Sequence, residues 1–157
     1  TDCAGVINGA SEDLGCGCGQ PVFPAGFYCD GTEYPELGDQ YAGGIVFRIN
    51  SDGTGLVADL QDLVFSGAIY NEVNWSTAMS AAENATSQGY DDWYLPSANE
   101  LMEMNSVIGY YGPSGMAGVH WSSTTSSSGG AMMVNSSTLA GFDFLSSNYS
   151  VRVVRSF

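Results

Sequence analysis

Hydrophobic positions follow a secondary-structure period only from about Gly43 onward. Residues 45–49 are apolar except for Arg48 and mostly β-branched, which predicts a strand. Residues 51–54 contain Asp-Gly and predict a tight turn, and residues 55–59 predict the returning strand. The first ordered unit of the chain is therefore a predicted β-hairpin.

The spacing of apolar residues farther along predicts two helices. The first covers residues 75–87, with Asn74 placed to cap it. Its apolar face consists of Trp75, Ala78, Met79 and Ala82. The second runs from Ser97 to about Ile108, and its apolar positions are Leu101, Met104 and Ile108.

The last part of the chain alternates short β-prone runs with Ser, Gly and Asn turns. These runs predict strands near residues 119–124, 131–135, 139–145 and 149–155. Residues 1–38 show no hydrophobic period and predict an irregular, Gly-rich arm. The predicted fold class is α+β, with two helices on a small, mostly antiparallel sheet.

The start of the second helix carries the most specific local signal. Pro96 fixes its own φ and holds Leu95 in an extended conformation. Ser97 then stands at the N-cap position, and Glu100 follows three residues later. This is a capping box, in which each side chain satisfies one free backbone N–H of the other residue.

The capping box belongs to a longer stretch, Gly-Tyr-Asp-Asp-Trp-Tyr-Leu-Pro-Ser-Ala-Asn-Glu-Leu at residues 89–101. This stretch resembles the signature of the Lcl C-terminal-like domain, which is found in secreted and surface proteins of bacteria. Further segments match in the same order at residues 41–47, 55–58, 120–124 and 151–157. The resemblance spans about residues 39–157 and implies a C-type-lectin-like fold, similar also to the formylglycine-generating enzymes.

The resemblance also has consequences for single residues. It implies a structural framework made of Trp93, Pro96, Ser97, Glu100, Trp121, Arg152 and Arg155. It further implies that Phe157 closes the opening hairpin. Tyr94 stands where the family usually has Arg, so any role of that Arg does not carry over. The family has no agreed activity, and the resemblance implies a fold and a location rather than a reaction.

All four cysteines lie within the arm: Cys3, Cys16, Cys18 and Cys29. An even number of clustered cysteines predicts two disulfides in an oxidising compartment. Two pairings remain open, Cys3–Cys16 with Cys18–Cys29 or Cys3–Cys18 with Cys16–Cys29. The alternative, a zinc site, is disfavoured because the spacings do not match common zinc-binding pairs.

The charge balance limits the partners that this chain can have. Seventeen acidic residues face three arginines and no lysine, which gives a net charge of −14. Such a chain repels nucleic acids and anionic lipids, and it contains no apolar run that predicts a membrane span. Acidic residues also attract calcium, for which Asp91, Asp92 and Asn99 are the candidate ligands; the alternative is that the acids only keep the protein soluble.

The sequence indicates no catalytic residues. His120 is the only histidine and is interpreted as a packed or surface imidazole, and no Lys or second His can assist it. The formylglycine-generating relatives need cysteines late in the chain, and none follows Cys29. Exposed aromatic rings suit sugars, for which Tyr110 and Tyr111 are the candidate contacts.

These features predict a non-enzymatic, secreted bacterial structural protein, found outside the cell or on its surface. A chain that begins at Thr1 without Met is what a processed secreted protein would look like. We expect it to self-assemble into an extracellular fibre or a surface or matrix polymer. The candidate assembly residues are Val22, Phe23, Phe27 and Tyr28. The alternative is a glycan-binding, lectin-like adhesion module, and the Ser/Thr-rich loops are candidate acceptors of glycans.

Overall fold

Two antiparallel sheets and two α-helices make up the fold. The computed structural model describes residues 25–109, 114–135 and 138–157, and of residues 138–140 only the backbone. The strands are β1 (Gln40–Tyr41), β2 (Gly44–Ile49), β3 (Gly55–Ala58), β4 (Val119–Thr125), β5 (Ala131–Asn135), β6 (Thr138–Asp143) and β7 (Val154–Ser156). The helices are α1 (Trp75–Glu83) and α2 (Ala98–Ile108), with short 3₁₀ turns at Ile69–Asn71 and Ser87–Gly89. The predicted α+β class is confirmed.

The strands form two sheets rather than the single predicted sheet. One has the order β1-β2-β3-β7 and the other the order β4-β5-β6. The difference arises in the last predicted strand, whose residues pair with several partners in turn. These bridges join Tyr149 to Val73, Ser150 to His120, and Val154 to Tyr94. Only Val154–Ser156 then pairs with β3, so the segment before it connects the two sheets.

The opening hairpin is covered on both faces, which explains its nearly continuous apolar sequence. Val46 and Val57 pack against α1 and Trp121, whereas Phe47 and Leu56 pack in a second cluster with α2. The backbone N–H of Phe157 donates to the Gly55 carbonyl at 3.1 Å, and its ring contacts the ring of Tyr41. The expectation that Phe157 closes the hairpin is confirmed.

Helix α1 begins as predicted and ends four residues early. The side chain of Asn74 accepts the N–H of Thr77 at 3.0 Å, which is the expected cap. After Glu83 the chain turns, and the carbonyl of Ser87 accepts the indole N–H of Trp93 at 2.9 Å. The side chain of Asn84 donates to the Ser80 carbonyl at 2.7 Å, and Gln88 has a φ of 55°, so the helical conformation does not continue to residue 87.

Trp93 and Trp121 are both buried, with 3% and 0% of their surfaces exposed. The indole N–H of Trp121 donates to the Val73 carbonyl at 2.8 Å, so its polar atom is satisfied inside the core. Neither ring is therefore available as a flat surface for a ligand.

Candidate functional site

The turn that enters α2 holds the predicted capping box. The Ser97 hydroxyl accepts the N–H of Glu100 at 3.3 Å, and the Glu100 carboxylate accepts the N–H of Ser97 at 2.8 Å. The carbonyl of Pro96 accepts the N–H of Ser123 at 2.8 Å, which attaches the turn to β4. Tyr94 donates its hydroxyl to Glu100; burial and this carboxylate raise the pKa of Tyr94 to about 12. This region stabilises the fold.

Arg155 joins three separate segments. Its guanidinium contacts both carboxylate oxygens of Asp92, at 2.6 and 3.0 Å, and donates to the carbonyl of Ala42 at 2.7 Å. It also stacks on the Tyr90 ring, 3.8 Å from the centroid. The hydrogen bond from Arg155 is the main cause that lowers the pKa of Asp92.

The three candidate calcium ligands differ in what they contact and in how exposed they are. Both oxygens of Asp92 are engaged by Arg155, whereas Asp91 and Asn99 are exposed at the surface. Among residues 25–109, 114–135 and 138–157, no group of three His, Cys, Asp or Glu side chains is arranged to hold a metal ion.

Arg152, Asp62 and His120 form a polar cluster inside the protein. The Arg152 Nε donates to Asp62 Oδ1 at 2.7 Å, and His120 Nε2 lies 3.0 Å from the same oxygen. Arg152 also donates to the carbonyls of Asp59, Ser114 and Gly115. Burial acts to raise the pKa of Asp62, but the hydrogen bonds and charges of His120 and Arg152 outweigh it and lower that pKa.

This cluster resembles an acid–base pair in composition, but its geometry favours a structural role. The imidazole of His120 is fully buried, and its Nδ1 contacts no hydrogen-bonding group within the described part of the chain. A general base must reach the proton that it removes, and this ring does not face solvent. The cluster connects the loops around residues 59–62 and 114–115 to the core. Sequence reasoning did not pair Asp62 with His120, because 58 residues separate them.

The described end of the arm packs on its own domain. Phe27 bridges to Glu33 in a short hairpin, and the Tyr28 hydroxyl donates to the carbonyl of Gly53 at 2.8 Å. The Tyr28 ring contacts Tyr34, which lies directly over Gly53. Cys29 is disulfide-bonded. The other candidate residues lie outside the described part of the chain: Cys3, Cys16, Cys18, Val22, Phe23, Tyr110 and Tyr111.

The β4-β5-β6 sheet and the loops around it are almost free of charge. Sixteen of the seventeen acidic residues precede Asn105, and the other one is Asp143. The Asp143 carboxylate accepts the hydroxyl of Tyr149 at 2.5 Å, which lowers its pKa. The only basic residues after Asn105 are Arg152 and Arg155, and both are buried.

Exposed apolar side chains lie beside an open strand edge of this sheet. Phe142 and Phe144 are 52% and 78% exposed, and Leu145 is 38% exposed. Among the described strands, β6 pairs with β5 alone, so no described strand occupies its other edge, which we call the open edge. We call this region, residues 141–145, the β6 surface. The distribution of acidic residues along the sequence was the signal that could have located it.

A shallow depression of about 280 Å³ lies beside the β6 surface. The two phenyl rings, the Asp143 carboxylate and the hydroxyls of Ser126 and Ser128 line it. Aromatic faces combined with a few polar groups are the usual composition of small-ligand sites.

Comparisons with known proteins do not identify this chain. No protein-family model matches it, and a search of curated proteins finds no match. Within the described residues, neither helix has the length and apolar character needed to cross a membrane. The resemblance at residues 89–101 stays a prediction from the sequence.

Proposed function

We propose that this chain is a non-enzymatic, secreted bacterial structural protein that assembles with copies of itself into an extracellular fibre or a surface or matrix polymer. The observation that carries the proposal is the β6 surface. It combines exposed phenyl rings, an open strand edge and almost no charge, on a chain with a net charge of −14. Exposed apolar patches of this kind mark interaction sites.

We further propose that residues 39–157 form a C-type-lectin-like domain of the Lcl C-terminal-like family. The order of hairpin, two helices and later strands supports this assignment. So does the closing strand β7, which pairs with β3 and brings the C-terminal end of the chain to the opening hairpin. An extracellular location agrees with the disulfide-bonded Cys29.

The assembly proposal is tested by imaging. We expect the full-length protein to form fibres in negative-stain micrographs. A variant that lacks residues 1–24 and carries Cys29→Ser keeps the hairpin that Tyr28 and Tyr34 anchor on Gly53. It should therefore stay folded by circular dichroism but form no fibres. The full-length Cys29→Ser protein is the matched control, because it separates loss of the arm from loss of a disulfide.

A glycan-binding adhesion module is the second candidate function, and the depression beside the β6 surface favours it. Sugars stack on aromatic faces and bond to carboxylates and hydroxyls, which are the groups present there. If full-length protein stays monodisperse and binds glycans on an array, and if Phe144→Ala abolishes that binding while Leu37→Ala does not, this function replaces the fibre.

A further inference from the structure

We propose that two copies of this chain pair through their β6 edges about a two-fold axis, so that the two three-stranded sheets join into one. The proposal rests on the self-assembly proposed above and names one of its contacts. The partner is a second copy, and the contact is antiparallel and centred near Phe142.

The first argument is the chemistry of the strand edge. An edge strand presents unpaired N–H and C=O groups, and proteins protect it with Lys, Pro or charged side chains, with bulges, or by keeping it very short. β6 contains no Lys and no Pro, and its only charged residue is the terminal Asp143. A register shift lies between the pairs Asn135–Thr138 and Met133–Gly141. The regular part of β6 is therefore Gly141–Asp143, next to the exposed rings.

The second argument is charge. Two chains with a net charge of −14 repel each other over most of their surfaces. Repulsion is weaker where acidic residues are fewer, and the β6 surface itself has only Asp143, whose carboxylate accepts the hydroxyl of Tyr149. Glu72 is the further carboxylate that acts on this tyrosine, so a second copy meets few negative charges at this surface.

The third argument is symmetry. Antiparallel pairing of identical strands is self-complementary, so each residue near the axis faces its own counterpart. Centring the contact on Phe142 places two phenyl rings opposite each other, and cross-strand aromatic pairs stabilise sheets. Phe144 follows directly after the end of β6, and its ring lines the same surface depression as the ring of Phe142. Both rings are more than half exposed in the single chain and would lose solvent contact.

A two-fold contact closes on itself and forms a dimer. A fibre therefore needs a second, different contact, for which the N-terminal arm is the available segment. The β6 pairing would then be the repeating dimer unit of the proposed polymer.

Sedimentation velocity of the full-length protein over a range of concentrations tests the pairing. We expect a dimer whose dissociation constant rises at least tenfold in Phe142→Glu and in Phe144→Glu. Leu37→Glu adds the same charge at a residue that is also exposed but lies outside the β6 surface, and should change the constant less than twofold. A monomer at all concentrations, or equal effects of Phe142→Glu and Leu37→Glu, overturns the proposal.

A crosslink gives an independent measurement. Phe142→Cys places a thiol at the two-fold axis, so mild oxidation should produce a covalent dimer, whereas Leu37→Cys should not. Equal crosslinking of the two variants contradicts the pairing. If fibres form and Phe142→Glu leaves them intact, the β6 pairing is wrong and the proposed function stands. If dimers form through Phe142 and no fibre forms, the proposed β6 pairing stands and the proposed assembly into a fibre is wrong.

Discussion

At the scale of single residues, the few positive charges organise the structure. Arg152 is 2% exposed and Arg155 is 8% exposed, yet each contacts a carboxylate and backbone carbonyls. A buried charge is tolerated only when it is paired and hydrogen-bonded. The two arginines of the closing segment therefore act as connectors, each joining loops that are distant in sequence.

Asp62→Asn should destabilise the protein. The change leaves Arg152 buried without its charge partner, at a cost of about 3 kcal/mol in the free energy of unfolding. Urea denaturation measures this effect. Asp91→Asn is the matched control, because Asp91 is exposed, and it should change stability by less than about 0.5 kcal/mol. Equal stability of the two variants would show that the ion pair of Asp62 and Arg152 contributes nothing to the free energy of unfolding.

The carboxylate of Asp62 should also make the stability of the protein depend on pH. Because its pKa is lowered in the folded state, its contribution to stability is present above the unfolded value of about 3.9 and is lost as the pH falls through the folded value. We expect thermal stability to decline below about pH 4, and to decline less steeply in Asp62→Asn. If the thermal stability of the wild-type protein and that of Asp62→Asn fall equally steeply with pH, the prediction is wrong.

At the scale of secondary-structure elements, short-range contacts set where the elements begin and how closely they approach. Helix α2 begins at the reciprocal bonds of Ser97 and Glu100. In the hairpin, a Cβ atom on Gly55 would lie 2.1 Å from the Arg48 carbonyl oxygen and 2.6 Å from the Phe157 ring. A side chain at that position would separate β2, β3 and the chain end.

Ser97→Ala should cost about 1 kcal/mol in the free energy of unfolding, because the helix loses its N-cap. Chemical denaturation measures the cost. Ser106→Ala, near the exposed end of α2, is the control and should have an effect below about 0.5 kcal/mol. If both variants behave alike, the capping box does not hold the helix start.

Gly55→Ala should destabilise the protein by about 1–3 kcal/mol through overpacking. Gly141→Ala is the matched control, because its nearest neighbour is the flexible end of Met133 at 3.4 Å. Thermal unfolding of the two variants measures the difference. A Gly55→Ala protein as stable as the control would show that the hairpin can relax around an added methyl group.

At the scale of the whole molecule, charge is divided unevenly. Nearly all acidic residues lie in the first two thirds of the chain, and the β4-β5-β6 sheet is left almost neutral. The part of the chain that forms this sheet therefore contributes little to the net charge of −14.

Self-assembly should strengthen with salt, because ions screen the repulsion between acidic chains. We expect the concentration needed for assembly to fall when NaCl rises from about 0.02 to 0.5 M. Light scattering measures this concentration. A second series in calcium chloride at matched ionic strength separates charge screening from specific binding of calcium ions. Weaker assembly at high salt would indicate that ion pairs, rather than the β6 surface, hold the copies together.

The sequence by itself determined the features that depend on neighbouring residues. The hairpin at residues 45–59, the Asn74 cap and the capping box of Ser97 were predictable because each is decided within a few positions. Tertiary structure decided the rest. Helix α1 ends at Glu83 rather than at residue 87, and the Ser87 carbonyl beyond it accepts the indole N–H of Trp93 in the core. The last predicted strand connects two sheets because its backbone finds different partners in Val73, His120 and Tyr94. The pairing of Asp62 with His120 and the open edge of β6 likewise depend on segments that are distant in sequence. Patterns within a few neighbouring residues therefore cannot predict them.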